Sequence, residues 1–162
     1  MISFLILGGI AAALWFLAFI SKRRFGLLAL ALTAGATVSS LWSYDAGLLL
    51  ASLGLVPAGP ITDAAVLSLI TLLPAFLLFF HGHAHRGLAG RIIGSTLFVL
   101  MAMALLVEPI GVALPVTGVG AQLYALLNQY GGVIISAGVV LAVFDLLLVK
   151  TAKPPEKSDK KK

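Results

Sequence analysis

The sequence predicts an all-α fold, a polytopic transmembrane bundle of five spans with an outer amphipathic helix. Composition is the first observation: 60% of the residues are apolar and 10% are charged, whereas soluble domains average about 25% charged. A soluble fold of this length could not bury so much apolar surface. The spacing of the apolar runs and the one-sided placement of the cations are the second and third observations. We expect residues 1–150 to form the bundle and residues 151–162 a disordered basic cytoplasmic tail.

Five apolar segments are each about as long as a helix needs to cross a ~30 Å hydrocarbon core. These predicted spans are residues 2–20, 26–42, 64–80, 92–107 and 133–149. The second and fourth are short, so we expect flanking residues to extend them. No cation precedes the first span, which favours a retained signal-anchor helix, with a cleaved signal peptide as the alternative.

The positions of the basic residues predict the orientation. With five spans, all 11 Lys and Arg residues fall on one side of the membrane: Lys22, Arg23, Arg24, Arg86, Arg91, Lys150, Lys153, Lys157, Lys160, Lys161 and Lys162. The opposite side holds only Asp45, Asp63 and Glu108. Because cytoplasmic loops are enriched in cations, the N-terminus is expected outside and the C-terminus in the cytoplasm. We expect a multi-pass protein of the cell (inner or plasma) membrane.

Two outer segments are apolar but too short or too interrupted to span. Residues 46–60 have an apolar core of about ten residues followed by prolines, which indicates an interfacial or re-entrant turn. The first half of residues 108–132 is rich in Pro and Gly and is predicted to be a loop. Residues 121–130 then show a leucine face typical of an amphipathic helix on the outer surface. Gly131 and Gly132 would form a hinge into the fifth span.

Small side chains spaced four residues apart predict where the helices pack, because close backbone approach stabilises helix association in lipid. They are Ala31, Gly35 and Ser39 in the second span, Gly90 and Gly94 at the start of the fourth, and Gly132 and Ser136 in the fifth. Pro74 interrupts the backbone hydrogen bonds of the third span, so a kink is expected there.

The motif HGHAHR follows the third span and contains His81, His83 and His85. Three imidazoles could bind a metal ion, but the neighbouring Arg86 would repel a cation, and a zinc site usually includes a supporting carboxylate. A proton relay would need a buried acid in the nearby spans. A polar collar at the end of the span is therefore favoured over a metal site, and no cofactor is expected.

Asp145 lies within the fifth span, about 7 Å from the boundary marked by Lys150. A carboxylate at that depth should face the bundle and have a partner. Arg91 is the first choice, with the cationic cluster at 22–24 also nearby, and ion coupling is the alternative role. At the outer side, Glu108, Asn128 and Gln129 are candidates for lining a polar vestibule.

No Ser/His/Asp arrangement, HExxH motif or phosphate-binding loop is present in the sequence. The cation distribution is typical of membrane orientation rather than of nucleic-acid binding. We therefore expect a non-catalytic subunit or assembly component of a membrane complex, in contact with the lipid bilayer and with other subunits or further copies of itself. The alternative is an oligomeric channel or transporter for a small solute or ion, with Asp145 as the coupling charge. An intramembrane enzyme ranks third.

Overall fold

The computed structural model describes residues 2–21, 24–43, 45–54, 57, 59–80, 88–113 and 119–148. Within these ranges the secondary structure is entirely helical, and the six helices are α1 (Ile2–Ser21), α2 (Phe25–Leu41), α3 (Asp45–Ser52), α4 (Pro60–Phe80), α5 (Leu88–Ala113) and α6 (Val119–Leu147). The HGHAHR motif and the basic tail lie outside the described residues.

Three of these helices are long and apolar enough to cross a membrane: α4, the Leu88–Gly111 part of α5 and the Gly120–Leu147 part of α6. A fourth candidate exists if α2 and α3, which are bent by 71° relative to each other, count as one broken span. Helix α1 is apolar but shorter over Leu5–Ser21. The chain therefore has the helices of a membrane protein, with three to four candidate spans.

One end of the bundle, which carries Arg24 and Arg91 and which we call the basic end, brings together the ends of α1 and α6 and the starts of α2 and α5. Arg24, just before α2, bonds to Asp145 near the end of α6. Arg91, in the first turn of α5, bonds to Phe19 near the end of α1. These contacts show that α1 and α6 run toward the end from which α2 and α5 depart.

The opposite end, which carries Asp45, Asp63 and Glu108 and which we call the acidic end, brings together the ends of α2 and α5 and the starts of α4 and α6. Ser39 near the end of α2 bonds to Leu67 in the first half of α4. The ring of Tyr124, in the second turn of α6, lies directly against Gly111 near the end of α5. Helix α3 packs against α4 at this end, where Gly47 lies against Asp63. The five long helices therefore alternate in direction.

Helices α5 and α6 are longer than the sequence patterns predicted. Helix α6 runs without a break through Gly131 and Gly132, so the predicted hinge and the separate outer amphipathic helix at 121–130 are wrong. Leu127 is buried against the bundle, and Gly131 is buried with it. Helix α5 likewise continues past Pro109 to Ala113. In apolar surroundings a continuous helix satisfies backbone groups that a break would leave unpaired at several kcal/mol each. This outweighs the cost of about 1 kcal/mol for a helical Gly or about 3 kcal/mol for one Pro.

Helices α2 and α4 pack closely because Gly35 has no side chain. A Cβ at Gly35 would overlap the backbone carbonyl of Thr71, and it would lie 3.0 Å from the carbonyl oxygen of Ile70. Ala31 and Ser39, one turn to either side, are buried on the same face. Such close approach gains the backbone van der Waals contact that drives helix pairing in lipid.

The remaining small residues divide between the interior and the surface. Gly94 of α5 faces Phe25, whose Cβ lies 3.4 Å from a Cβ built on the glycine, and Gly90 is half-buried. Gly132 has open space around it and Ser136 is exposed, so neither packs inside this chain. Helix α6 instead turns Gly138 toward α5. Helix α4 continues through Pro74 to Phe80.

Candidate functional site

Asp145 forms an ion pair with Arg24 that joins the end of α6 to the start of α2. The Arg24 guanidinium Nη2 donates to Asp145 Oδ1 at 3.0 Å and to the Asp145 backbone carbonyl oxygen at 2.8 Å. The second carboxylate oxygen, Oδ2, accepts the backbone N–H of Gly26 at 2.9 Å. The two side chains are only 18% and 21% exposed. Both carboxylate oxygens are thus engaged, one by a cation and one by the main chain.

This carboxylate also caps helix α2 from another helix. Residue Arg24 occupies the N-cap position with extended backbone and makes no side-chain capping bond of its own. The N–H of Gly26, at the second position of the helix, is one of the donors that a helix start leaves unpaired. Asp145 accepts it and places negative charge at the positive end of the helix dipole.

Gly26 is required for this close approach. A Cβ on Gly26 would overlap the carbonyl oxygen of Ala142 and lie 3.1 Å from Asp145 Oδ2. The start of α2 therefore lies directly against the last turns of α6, and the capping bond depends on a residue without a side chain.

The predicted partner of Asp145 needs a correction, because Arg91 is engaged elsewhere. Its Nη2 donates to the carbonyl oxygen of Phe19 at 2.7 Å, and its guanidinium carbon lies 4.2 Å from the centre of the Phe19 ring. Trp15 stacks on the same ring with a centroid distance of 5.0 Å. Helix α5 packs on α1 at this end, whereas α6 ends beside α2, so Arg24 is the cation that reaches Asp145.

A cleft of about 400 Å³ opens at the acidic end of the bundle, between α2, α4 and α5. Its wall combines hydroxyl side chains with one carboxylate, and its lining residues are Ala36, Ser39, Ser40, Ser43, Leu67, Thr71, Leu105, Glu108 and Pro109. The hydroxyl of Ser39 and that of Thr71 both donate to the Leu67 carbonyl oxygen, at 3.1 Å and 2.8 Å. The cleft thus presents oxygen atoms whose protons are already committed to the backbone.

The structure divides the three outer polar candidates. Glu108 lines the cleft, with an exposed side chain. Asn128 and Gln129 are exposed on α6 and do not belong to the cleft wall. Sequence reasoning named Ser39 only as a packing residue and missed Ser40 and Ser43, which also line the cleft. Three serines within five residues at the outer end of the second predicted span, Ser39, Ser40 and Ser43, are the signal that would have found them.

The predicted histidine site at His81, His83 and His85 lies outside the described residues. In the described part of the chain, no three His, Asp or Glu side chains come together in a way that could hold a metal ion. The chemistry of the described residues is therefore that of the Arg24–Asp145 pair at one end and of the cleft at the other.

No protein-family model, curated protein or solved structure matches the chain.

Proposed function

We propose that this chain is a small multi-pass protein of the plasma or inner membrane that acts as a non-catalytic subunit or assembly component of a membrane complex. It crosses the bilayer five times, with its N-terminus outside and its C-terminus in the cytoplasm. Its transmembrane character is supported by three to four candidate spans.

The five-span arrangement is supported by helix length and by charge. Helix α1 has 20 residues and so a length of about 30 Å, which matches a hydrocarbon core. Arg24 and Arg91 both lie at the basic end, whereas Glu108 lies about 26 Å along α5 from Arg91, at the acidic end. A protein that follows the positive-inside rule would direct the basic end to the cytoplasm.

The observation that carries the functional proposal is the full engagement of Asp145. A carboxylate that couples ion movement has to exchange partners or protons during each cycle. Asp145 instead joins two helix ends through Arg24 and the N–H of Gly26. This geometry supports a structural role for the charge over the ion-coupling role that the transporter alternative gives it.

The exposed face of α6 supports an interaction role. Gly132, Ser136 and Ala137 line a shallow groove together with three larger aliphatic side chains, Val133, Val140 and Leu141. No other helix of the described chain fills this groove. Small residues on a lipid-facing surface permit close helix association, so a second membrane protein or a second copy would fit this face.

Purification in mild detergent tests the proposal. The tagged chain is expected to copurify with a membrane protein, or with itself, in fixed stoichiometry. The substitution Ala137→Trp fills the groove and should remove the partner while leaving the monomer folded. Ala13→Trp is the matched control, because Ala13 is exposed on α1 at a similar depth.

A monomer without a partner would contradict the subunit proposal, as would equal loss of the partner in both variants. A homo-oligomer that conducts ions in proteoliposomes, and loses flux in a folded Asp145→Asn variant, would favour the channel or transporter alternative.

A further inference from the structure

We infer that the cleft at the acidic end binds a primary ammonium group, carried either by a small free amine or by an aminophospholipid headgroup. This inference stands apart from the proposed subunit function, since it concerns a different end of the bundle and different residues.

The cleft offers a ligand hydrogen-bond acceptors. Ser39 and Thr71 both donate their hydroxyl protons to the Leu67 carbonyl oxygen, and Ser40 donates to the Thr37 carbonyl oxygen at 2.8 Å. A hydroxyl group has one proton and two lone pairs. With the proton committed to the backbone, each of these oxygens can only accept a bond from a ligand in the cleft.

Glu108 adds the charge. Its carboxylate is acceptor-only when ionised, it lines the same cleft, and it makes no ion pair within the described residues. The two described arginines, Arg24 and Arg91, are held at the opposite end of the bundle. The cleft is therefore a negative, acceptor-lined site, which favours a cation with N–H donors and disfavours carboxylates and phosphates.

Size separates an ammonium ligand from a bare metal ion. A cleft of about 400 Å³ is in the range of small-molecule sites and much larger than one ion. Calcium takes six to eight oxygen ligands, usually with several carboxylates, and magnesium demands near-ideal octahedral geometry, whereas the described wall of this cleft has one carboxylate. An ammonium group supplies three N–H donors, and its carbon body would rest on the apolar part of the wall formed by Ala36, Leu67 and Leu105.

The first arm of the test uses soluble probes on the detergent-purified chain. Butylamine is compared with butanol and butyrate, which share its carbon body but are neutral or anionic, by titration calorimetry. We expect butylamine alone to bind, and Glu108→Gln to weaken it about tenfold, the factor for losing a charge-assisted hydrogen bond. Asp45→Asn is the matched control, because Asp45 is exposed at the same end but lies outside the cleft, and it should keep the wild-type affinity.

The second arm identifies the source of the ammonium group. Nanodiscs with phosphatidylethanolamine are compared with nanodiscs of phosphatidylcholine, whose quaternary nitrogen carries no N–H donor, and bound lipid is counted by native mass spectrometry. Retention of phosphatidylethanolamine that is lost in Glu108→Gln assigns a lipid headgroup, and binding of butylamine alone assigns a free amine. If Glu108→Gln does not fold, Ser40→Ala, which removes one exposed hydroxyl acceptor, should weaken binding about threefold.

The inference is overturned if butylamine binds no better than butanol and phosphatidylethanolamine no better than phosphatidylcholine. Equal binding by the wild type and by folded Glu108→Gln would also overturn it, as would equal weakening by Asp45→Asn.

Discussion

The substitution Asp145→Asn tests how much the ion pair between Asp145 and Arg24 stabilises the basic end of the bundle. In Asp145→Asn, the amide keeps a single acceptor oxygen, whereas the carboxylate serves two donors, Arg24 Nη2 at 3.0 Å and Gly26 N–H at 2.9 Å. Whichever donor the oxygen takes, the amide NH₂ faces the other. The variant therefore loses the ion pair in either orientation, together with either the side-chain hydrogen bond from Arg24 or the cap of α2.

The expected loss lies between two known limits. Breaking a buried ion pair costs about 3–5 kcal/mol, and an exposed pair contributes about 0–1 kcal/mol. The side chains here are 18% and 21% exposed, and Arg24 keeps its 2.8 Å bond to the Asp145 carbonyl oxygen. Arg24 can also extend toward the interface. We expect the free energy of unfolding to fall by about 2 kcal/mol in Asp145→Asn.

Reversible denaturation in mixed micelles measures this free energy for a double-mutant cycle. Asp145→Asn combined with Arg24→Gln should cost about 1 kcal/mol less than the sum of the single losses, because neither charge is left alone. Asp145→Asn with Arg91→Gln is the control, and its losses should add to within about 0.5 kcal/mol. Additive losses for the Arg24 pair, or coupling to Arg91, would refute the assignment.

Two further predictions concern the packing of α2 and the histidine motif. Gly35→Ala should lower the free energy of unfolding by about 2 kcal/mol, because its Cβ would meet the Thr71 backbone, which cannot move aside. Gly9→Ala, where a Cβ has open space, should be neutral or slightly stabilising; equal losses in both would contradict the close α2–α4 contact. The triple substitution of His81, His83 and His85 by Asn should leave folding and metal content unchanged. One bound zinc or nickel per chain, lost in the triple variant, would show that the polar-collar interpretation is wrong.

Hydropathy and charge predicted the class of the fold because they depend on composition over long windows. The predicted spans at 2–20, 26–42 and 64–80 correspond to α1, α2 and α4, and each predicted boundary lies within a few residues of the observed one. The predicted breaks failed in α5 and α6, where Pro109 and the Gly131–Gly132 pair are local turn signals. Within an apolar bundle those signals are overridden by the need to pair the backbone.

The sequence predicted that Asp145 belongs to a site, but it did not predict which residue pairs with Asp145. An acidic residue inside an apolar span needs a partner, and that argument selects Asp145 from the sequence. Which arginine pairs with Asp145 depends on which helices are neighbours in the fold. The sequence pattern alone places Arg24 and Arg91 at the same depth and so does not distinguish them. The poor capping residue at the start of α2, Arg24 itself, is the sequence sign that a cap comes from elsewhere in the fold.

Labelling of single cysteines distinguishes the five-span topology from one with an even number of spans. The chain contains no cysteine, so Ser3→Cys, Ser43→Cys and Ser158→Cys each introduce one thiol without background, by a nearly isosteric change. With an impermeant thiol reagent on intact cells, the account predicts labelling at positions 3 and 43, and labelling at 158 only after the membrane is opened. Labelling of Ser158→Cys from outside, or of positions 3 and 158 from the same side, would contradict the five-span account.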